Sequence, residues 1–182
     1  MNKLALALAV SGAFALCVPT VPASAAFEST EAKEAARDAA AAARQDMFET
    51  FGERTLKPGQ YLWRDKAGQG EPRVVVSLDD QLAFLYRGSD LVAVSTISSG
   101  SEKNPTPTGI FPILDKKKFH RSIKYDNAPM PFMQRLDRFG IALHAGHLPG
   151  RPASHGCIRL PGEFAAKLFT VTDVGTPVLI GT

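Results

Sequence analysis

The sequence predicts a mostly-β sheet or sandwich domain with one short helix of its own, preceded by an alanine-rich helix. Three observations carry that prediction. From Tyr61 onward the chain reads as short runs of β-branched and aromatic residues separated by turn residues. Its 15 glycines and 13 prolines favour strands and shaped loops over a helical bundle. Beyond Tyr61, only residues 162–169 repeat apolar side chains at helical spacing. A length of 182 residues fits one domain with short appendages. Apolar residues at 45% and charged residues at 21% exclude wholesale disorder, a collagen-like repeat and a multi-span membrane protein.

The first 25 residues read as an export signal rather than as part of the fold. Lys3 gives a positive start, and residues 4–18 form an apolar run too short and wrongly flanked to span a bilayer. Pro19 and Pro22 break the run, and Ala23-Ser24-Ala25 has the small-x-small pattern of signal cleavage. Cleavage is expected after Ala25, with Ala26 the near alternative, leaving no stable membrane span. Cys17 does not fit a lipidation site, because Leu16 stands where a small residue is wanted. Removal of this segment leaves Cys157 as the one cysteine, and a lone thiol in an exported protein is inert, intermolecular or reactive. The net charge of +3, from 21 Lys and Arg against 18 Asp and Glu, is too small to imply a nucleic-acid partner. No glycine-rich nucleotide-binding run is present.

Residues 30–51 read as a helix. Glu31 and Glu34 suit its positive end, and its alanine-rich middle has the best intrinsic propensity. Ala32, Ala36, Ala39, Ala43 and Met47 recur near helical spacing, but an alanine face buries little area. The expected role is a stalk holding the domain off the membrane or wall, ahead of a partner-binding role. Lys57-Pro58-Gly59 marks the boundary, giving a helix-and-linker segment over residues 26–60 and the main domain over residues 61–182. Residues 73–78 and 81–86 flank Asp79-Asp80 as a hairpin, and residues 91–97, 109–114, 140–144 and 176–180 read as further strands. The 162–169 helix would bury Phe164, Ala165, Leu168 and Phe169. Two loops resist the strand reading. Residues 98–108 are rich in Ser, Gly and Pro, and residues 126–135 hold Met130, Phe132 and Met133, an apolar patch interrupted by two prolines, as a core plug or a cleft wall.

The chemistry concentrates between His144 and Pro161, where three of the four histidines, Cys157, Arg151 and Arg159 fall together. Cysteine is the strongest neutral-pH nucleophile among side chains when a nearby base or cation favours its thiolate. His144 at a strand end can take the thiol proton if the Gly/Pro-rich segment 146–153 returns the chain beside it. Gly156 permits a tight turn that would aim backbone N–H groups at a developing oxyanion. Residues alone leave two other readings beside Cys–His catalysis. Cys157 could be a small buried hydrophobe. His144, His147, His155 and Cys157 could bind zinc, although their spacing matches no common zinc pattern.

The run Ser154-His155-Gly156-Cys157-Ile158-Arg159, preceded by a strand ending in His144, resembles the signature of L,D-transpeptidase catalytic domains, the YkuD family. Pro107-Thr108-Gly109 before an apolar strand is similar to that family's approach to its cleft, and the strands over residues 73–97 are similar to its amino-terminal strands. The resemblance implies an L,D-transpeptidase-like β domain. It implies Cys157 as nucleophile, His144 as general base, and the Ala145 carbonyl as the group that orients the imidazole. Gly156 would supply an oxyanion-binding turn, supported by Ser154 and His155. Arg159 would bind a stem-peptide carboxylate, and Thr108, Met130 and Phe132 would line the cleft. His147 receives no role.

The implied reaction is acyl transfer from a peptidoglycan tetrapeptide with release of D-alanine, forming 3→3 cross-links. It needs no metal or organic cofactor and is open to carbapenem β-lactams. Its implied place is the periplasm of a bacterial envelope. Hydrolysis by the same cysteine (an L,D-carboxypeptidase or another murein hydrolase), attachment of a lipoprotein to peptidoglycan, and a non-catalytic wall-binding module remain as alternatives.

Overall fold

Ten strands and two helices are described in a computed structural model that covers residues 27–182 apart from residues 53, 66, 67 and 126. The export signal lies outside the described residues. Helix α1 spans Thr30–Phe51. Ser29 caps it by accepting the Ala32 N–H at 3.2 Å, and Gly52 ends it at φ +75° with its N–H on the Phe48 carbonyl at 2.9 Å.

The structure corrects the expectation of a stalk. Ala32, Ala36, Ala40, Ala43 and Met47 are buried, and the last three of these pack on Val75, Phe84, Tyr86, Leu91 and Val94 of a sheet. Small side chains gain little area here, but they let backbone approach backbone. A Cβ on Gly181 would lie 2.4 Å from the Ala36 carbonyl oxygen. The Tyr86 hydroxyl also donates to Asp46 on the helix at 2.6 Å.

That sheet comprises β1 (Tyr61–Trp63), β2 (Pro72–Ser77), β3 (Leu82–Arg87), β4 (Asp90–Thr96), β5 (Gly109–Pro112) and β10 (Pro177–Gly181), in the order β1-β4-β3-β2-β10-β5. The expected hairpin pairs β2 with β3 antiparallel, and β10 returns from the far end of the chain parallel to β2. Both faces of β2 and β3 are covered, which is why they read as continuous apolar runs rather than alternating ones.

A second sheet is built from β6 (Asp115–Lys117), β7 (Met133–Arg135), β8 (Ala142–Ala145) and β9 (Ile158–Leu160), with β8 and β9 parallel. Helix α2 spans Gly162–Val171. The main core lies between the two sheets and α2, where Val74, Leu85, Ile113, Leu143, Ile158 and Phe164 meet. Phe169, expected to be buried on α2, is half-buried and stacks edge-on against Phe132 at 5.9 Å.

Candidate active site

Strand parity assembles the site. Residues alternate between the faces of a strand, and partners across neighbouring strands share a face. β8 and β9 pair Leu143 with Ile158, His144 with Arg159 and Ala145 with Leu160. Leu143, Ile158 and Leu160 belong to the core between the sheets. His144 and Arg159 therefore face the other way. Cys157, two residues before Arg159, shares their face, and all three line one cleft of about 780 Å³. Residues far apart in the chain meet here because a single register fixes them.

The His144 Nδ1 lies 2.8 Å from the Ala145 carbonyl oxygen. A carbonyl oxygen only accepts, so Nδ1 carries the proton and Nε2 of the neutral ring is left to accept one. The Ala145 carbonyl thus takes the position expected for it. Burial holds His144 below the ordinary histidine value; its Ala145 hydrogen bond works in the opposite sense, and the charges of Arg159 and His120 reinforce burial. Burial likewise pushes the Cys157 thiol up, tempered by a backbone hydrogen bond from Ala142, and the Asp137 carboxylate adds to the rise while Arg159 opposes it. The thiol donates to the Gly140 carbonyl oxygen at 3.5 Å. Both shifts favour the uncharged form of the group concerned.

The turn that carries Cys157 is held from beneath. The Ser154 hydroxyl accepts the Gly156 N–H at 3.0 Å and donates to the Cys157 carbonyl. The Gly156 N–H, expected to face an oxyanion, is therefore engaged inside the turn. Gly156 has φ +108°, a backbone conformation that favours glycine, and a Cβ there would also press on the tip of the Ile141 side chain, 2.6 Å from its Cδ1. The loop over residues 98–106 forms the mould. Thr106 donates to the Gly156 carbonyl at 2.8 Å and accepts the Gly100 N–H at 2.8 Å, while Ser99 and Ser101 exchange backbone bonds with Ala153 and Ser154. Asp137 accepts the N–H groups of Phe139, Gly140 and Ile141 at 2.9, 2.8 and 2.8 Å, fixing the turn that presents the Gly140 carbonyl to the thiol. Arg159 lays its aliphatic stem over Gly146, where a Cβ would lie 3.1 Å from its Cγ.

Other expected positions separate. Met130 lines the cleft and belongs to a cluster with Met133, Ala142 and Cys157, so it is a wall of the site. Phe132 is not; at φ +54° it turns to the interior and packs against Phe169. Thr108 also lies elsewhere, beside Thr30, Lys33 and Arg37 at the α1 end of the fold, and it is Thr106 that touches the turn before Cys157. His155 is exposed rather than braced inside the turn, and its ring stacks on Tyr125 at 4.4 Å. His147 is exposed at the rim.

Sequence reasoning singled out residues 126–135 as a core plug or cleft wall but missed the limb over residues 118–125 that completes a flap. Its two limbs are joined by bonds from Phe132 N–H to the Lys118 carbonyl at 3.0 Å and from Met130 N–H to the His120 carbonyl at 2.9 Å. It brings His120, Lys124 and Tyr125 to the cleft. The paired prolines and methionines were the available signal, and a hairpin ladder in so irregular a sequence was not readable. Among the described residues no three of His, Cys, Asp and Glu converge as a metal cage, and no helix is long and apolar enough to cross a membrane.

A solved L,D-transpeptidase from Mycobacterium smegmatis shares the fold at a TM-score of 0.58 and 21% identity, over 62% of this chain and 59% of that one. The L,D-transpeptidase of Xylanimonas cellulosilytica, residues 123–326, matches at a TM-score of 0.58 and 24% identity, over 75% of this chain and 68% of that one. LD transpeptidase LdtMt1, solved in complex with imipenem, matches at a TM-score of 0.55 and 22% identity, over 60% of this chain and 58% of that one. This likeness defines the class as an L,D-transpeptidase fold. Comparison with curated proteins finds no sequence relative. The model of the YkuD L,D-transpeptidase catalytic domain matches residues 71–180, and the chain belongs to that family.

Proposed function

We propose that the chain is a cysteine-dependent L,D-transpeptidase that forms 3→3 cross-links between peptidoglycan stems. The observation that carries this reading is the shared face of Cys157, His144 and Arg159, with the Ala145 carbonyl orienting the imidazole. His144 Nε2 takes the thiol proton as Cys157 attacks the carbonyl between the third stem residue and the terminal D-alanine. The tetrahedral oxyanion falls to backbone N–H groups of the nucleophile turn other than that of Gly156. Collapse breaks the peptide bond, the imidazolium proton goes to the departing amine of D-alanine, and a thioester remains. An amine on the third residue of a neighbouring stem attacks the thioester, gives its proton to His144, and leaves the cross-link and the free thiol. Arg159 holds a stem carboxylate, a task suited to its planar fork. No metal or organic cofactor enters any step.

LD transpeptidase LdtMt1 is solved with imipenem, and another similar structure is the Ldtfm-avibactam carbamoyl enzyme. A carbapenem is accordingly expected to acylate Cys157. The export signal read in residues 1–25 supports a periplasmic setting for the reaction.

Intact-protein mass spectrometry of residues 26–182, incubated with disaccharide-tetrapeptide and separately with a carbapenem, tests the proposal. A thioester adduct on Cys157 together with a 3→3 dimer supports it. An adduct that yields only tripeptide makes the enzyme an L,D-carboxypeptidase. Acyl transfer that persists in Cys157→Ala overturns the nucleophile, and His144→Ala should slow acylation about 100-fold or more.

A further inference from the structure

Resolving the thioester with an amine releases more protons than His144 can take. An amine as basic as a lysine side chain, with a pKa of about 10.4, is an ammonium ion at pH 7, and only roughly one in a few thousand is free base. Its nitrogen enters with three protons and ends in the new peptide bond with one, so two must leave. The Nδ1 of His144 already carries a proton and binds the Ala145 carbonyl at 2.8 Å, which leaves Nε2 to take one more. That one returns to the sulfur of Cys157. The other needs a second acceptor. Hydrolysis makes no such demand, because water gives one proton to His144 as it attacks and the acid formed sheds the other unaided.

The flap brings a second acceptor to the cleft. His120 is half-buried and lines the cleft with Cys157 and His144. Two backbone bonds tie it to the strand of the first base. Ala145 N–H, next to His144, donates to the Pro131 carbonyl at 2.9 Å, and Met130 N–H donates to the His120 carbonyl at 2.9 Å. Burial is the first cause that holds His144 below its ordinary value, and the charges of Arg159 and His120 add to it, so the two imidazoles stand within electrostatic reach of each other.

Other groups in the cleft are less suited to the task. His147 and His155 are exposed, and the His155 ring is stacked on Tyr125. No described Asp or Glu lines the cleft, whereas Lys124, Arg135 and Arg159 do. Arg135 stands in one row with Cys157, because β7 pairs it with Ala142 and extending the β8–β9 register by one residue sets Ala142 against Cys157. Positive charge around the thiol disfavours an ammonium ion there and eases the loss of its proton. Histidine is the side chain that accepts a proton near neutral pH and passes it on to water.

Resting on the transpeptidase reading, we infer that His120 is a second catalytic base, used only in the acceptor step, which takes the first proton from the incoming ammonium group. The amine so freed attacks the thioester carbonyl carbon and forms the carbon–nitrogen bond. His144 removes the second proton, the carbon–sulfur bond breaks, and His144 returns that proton to the thiolate. His120 gives its own proton to solvent. Formation of the thioester does not involve His120, so the flap steers the acyl group towards amines and away from water.

The test quantifies dimer and tripeptide made from disaccharide-tetrapeptide by wild type and by His120→Gln, between about pH 6 and pH 9. At pH 7 the dimer-to-tripeptide ratio of His120→Gln is expected to fall about 10- to 100-fold. Its acylation by a carbapenem should stay close to that of wild type. The deficit in dimer should shrink as the pH rises, because solution then supplies free amine. His120→Asn is used in its place if the glutamine variant does not keep the wild-type unfolding midpoint. A ratio equal to that of wild type, a deficit of the same size at every pH, or acylation that falls in parallel with dimer overturns the inference and leaves the transpeptidase reading standing. Wild-type enzyme that releases only tripeptide overturns that reading and this inference with it.

Discussion

Replacing Thr106 with valine tests how the turn before Cys157 is held. Valine keeps the shape of threonine and deletes only the hydroxyl, so packing is unchanged to first order. That hydroxyl donates to the Gly156 carbonyl and accepts the Gly100 N–H, both at 2.8 Å. Gly156 is buried and Gly100 is half-buried, so water reaches the two orphaned groups unequally. A fully buried orphan costs about 1–3 kcal/mol, and a half-buried one costs less. The sum is about 2–4 kcal/mol of unfolding free energy, or a fall in Tm of about 5–12 °C for a domain of this size. Urea unfolding measures the free energy, and acylation of Cys157 by a carbapenem, read by intact mass, reports the geometry of the turn. Thr106→Ser keeps the hydroxyl and should recover most of both. A Thr106→Val protein within 0.5 kcal/mol of wild type, or a serine variant as damaged as the valine one, would refute the reasoning.

The pH response follows from burial. His144 is held below the ordinary histidine value of about 6.5, so the imidazole becomes a usable base at lower pH and the acid limb of acylation should have its midpoint below that value. The Cys157 thiol is pushed up, so its alkylation by iodoacetamide should keep rising through alkaline pH; a rate already level by about pH 6 would mean a preformed thiolate–imidazolium pair instead. Gly181→Ala would force a Cβ to 2.4 Å from the Ala36 carbonyl oxygen and so press α1 away from the sheet. It should cost about 1–3 kcal/mol in denaturant unfolding, and an unchanged midpoint would mean that the helix does not dock as described.

Strands with a full run of apolar residues were legible in the sequence. The hairpin about Asp79-Asp80 and the strands expected over residues 91–97, 109–114 and 176–180 fall within two residues of β2, β3, β4, β5 and β10. β1, β6, β7 and β9 are three residues long, too short to show a period, and their pairing depends on neighbours far away in the chain. Burial of α1 could not be read either. An alanine face gains its stability from close backbone approach, and that requires a glycine at residue 181 on a strand more than a hundred residues away. At the site, the His144 and Cys157 pattern was visible because its residue types are rare and clustered. Thr106 and Arg135 were not, because threonine and arginine are common and only register gives them meaning.

The sequence alone determined the local chemistry of this protein: a cysteine after a glycine, a histidine at a strand end, an arginine two residues beyond the thiol, and the strand and helix propensities that carry them. Tertiary structure decided which of those groups share a face, because a register of one residue either way would turn His144 or Cys157 into the core. It also decided that Thr106 and not Thr108 holds the turn, that Phe132 points inward while Met130 lines the cleft, and that Arg135 stands in one row with Cys157 across the second sheet. Propensity acts through a few neighbouring bonds, whereas placement on a face depends on hydrogen bonds between strands that the chain brings together only on folding.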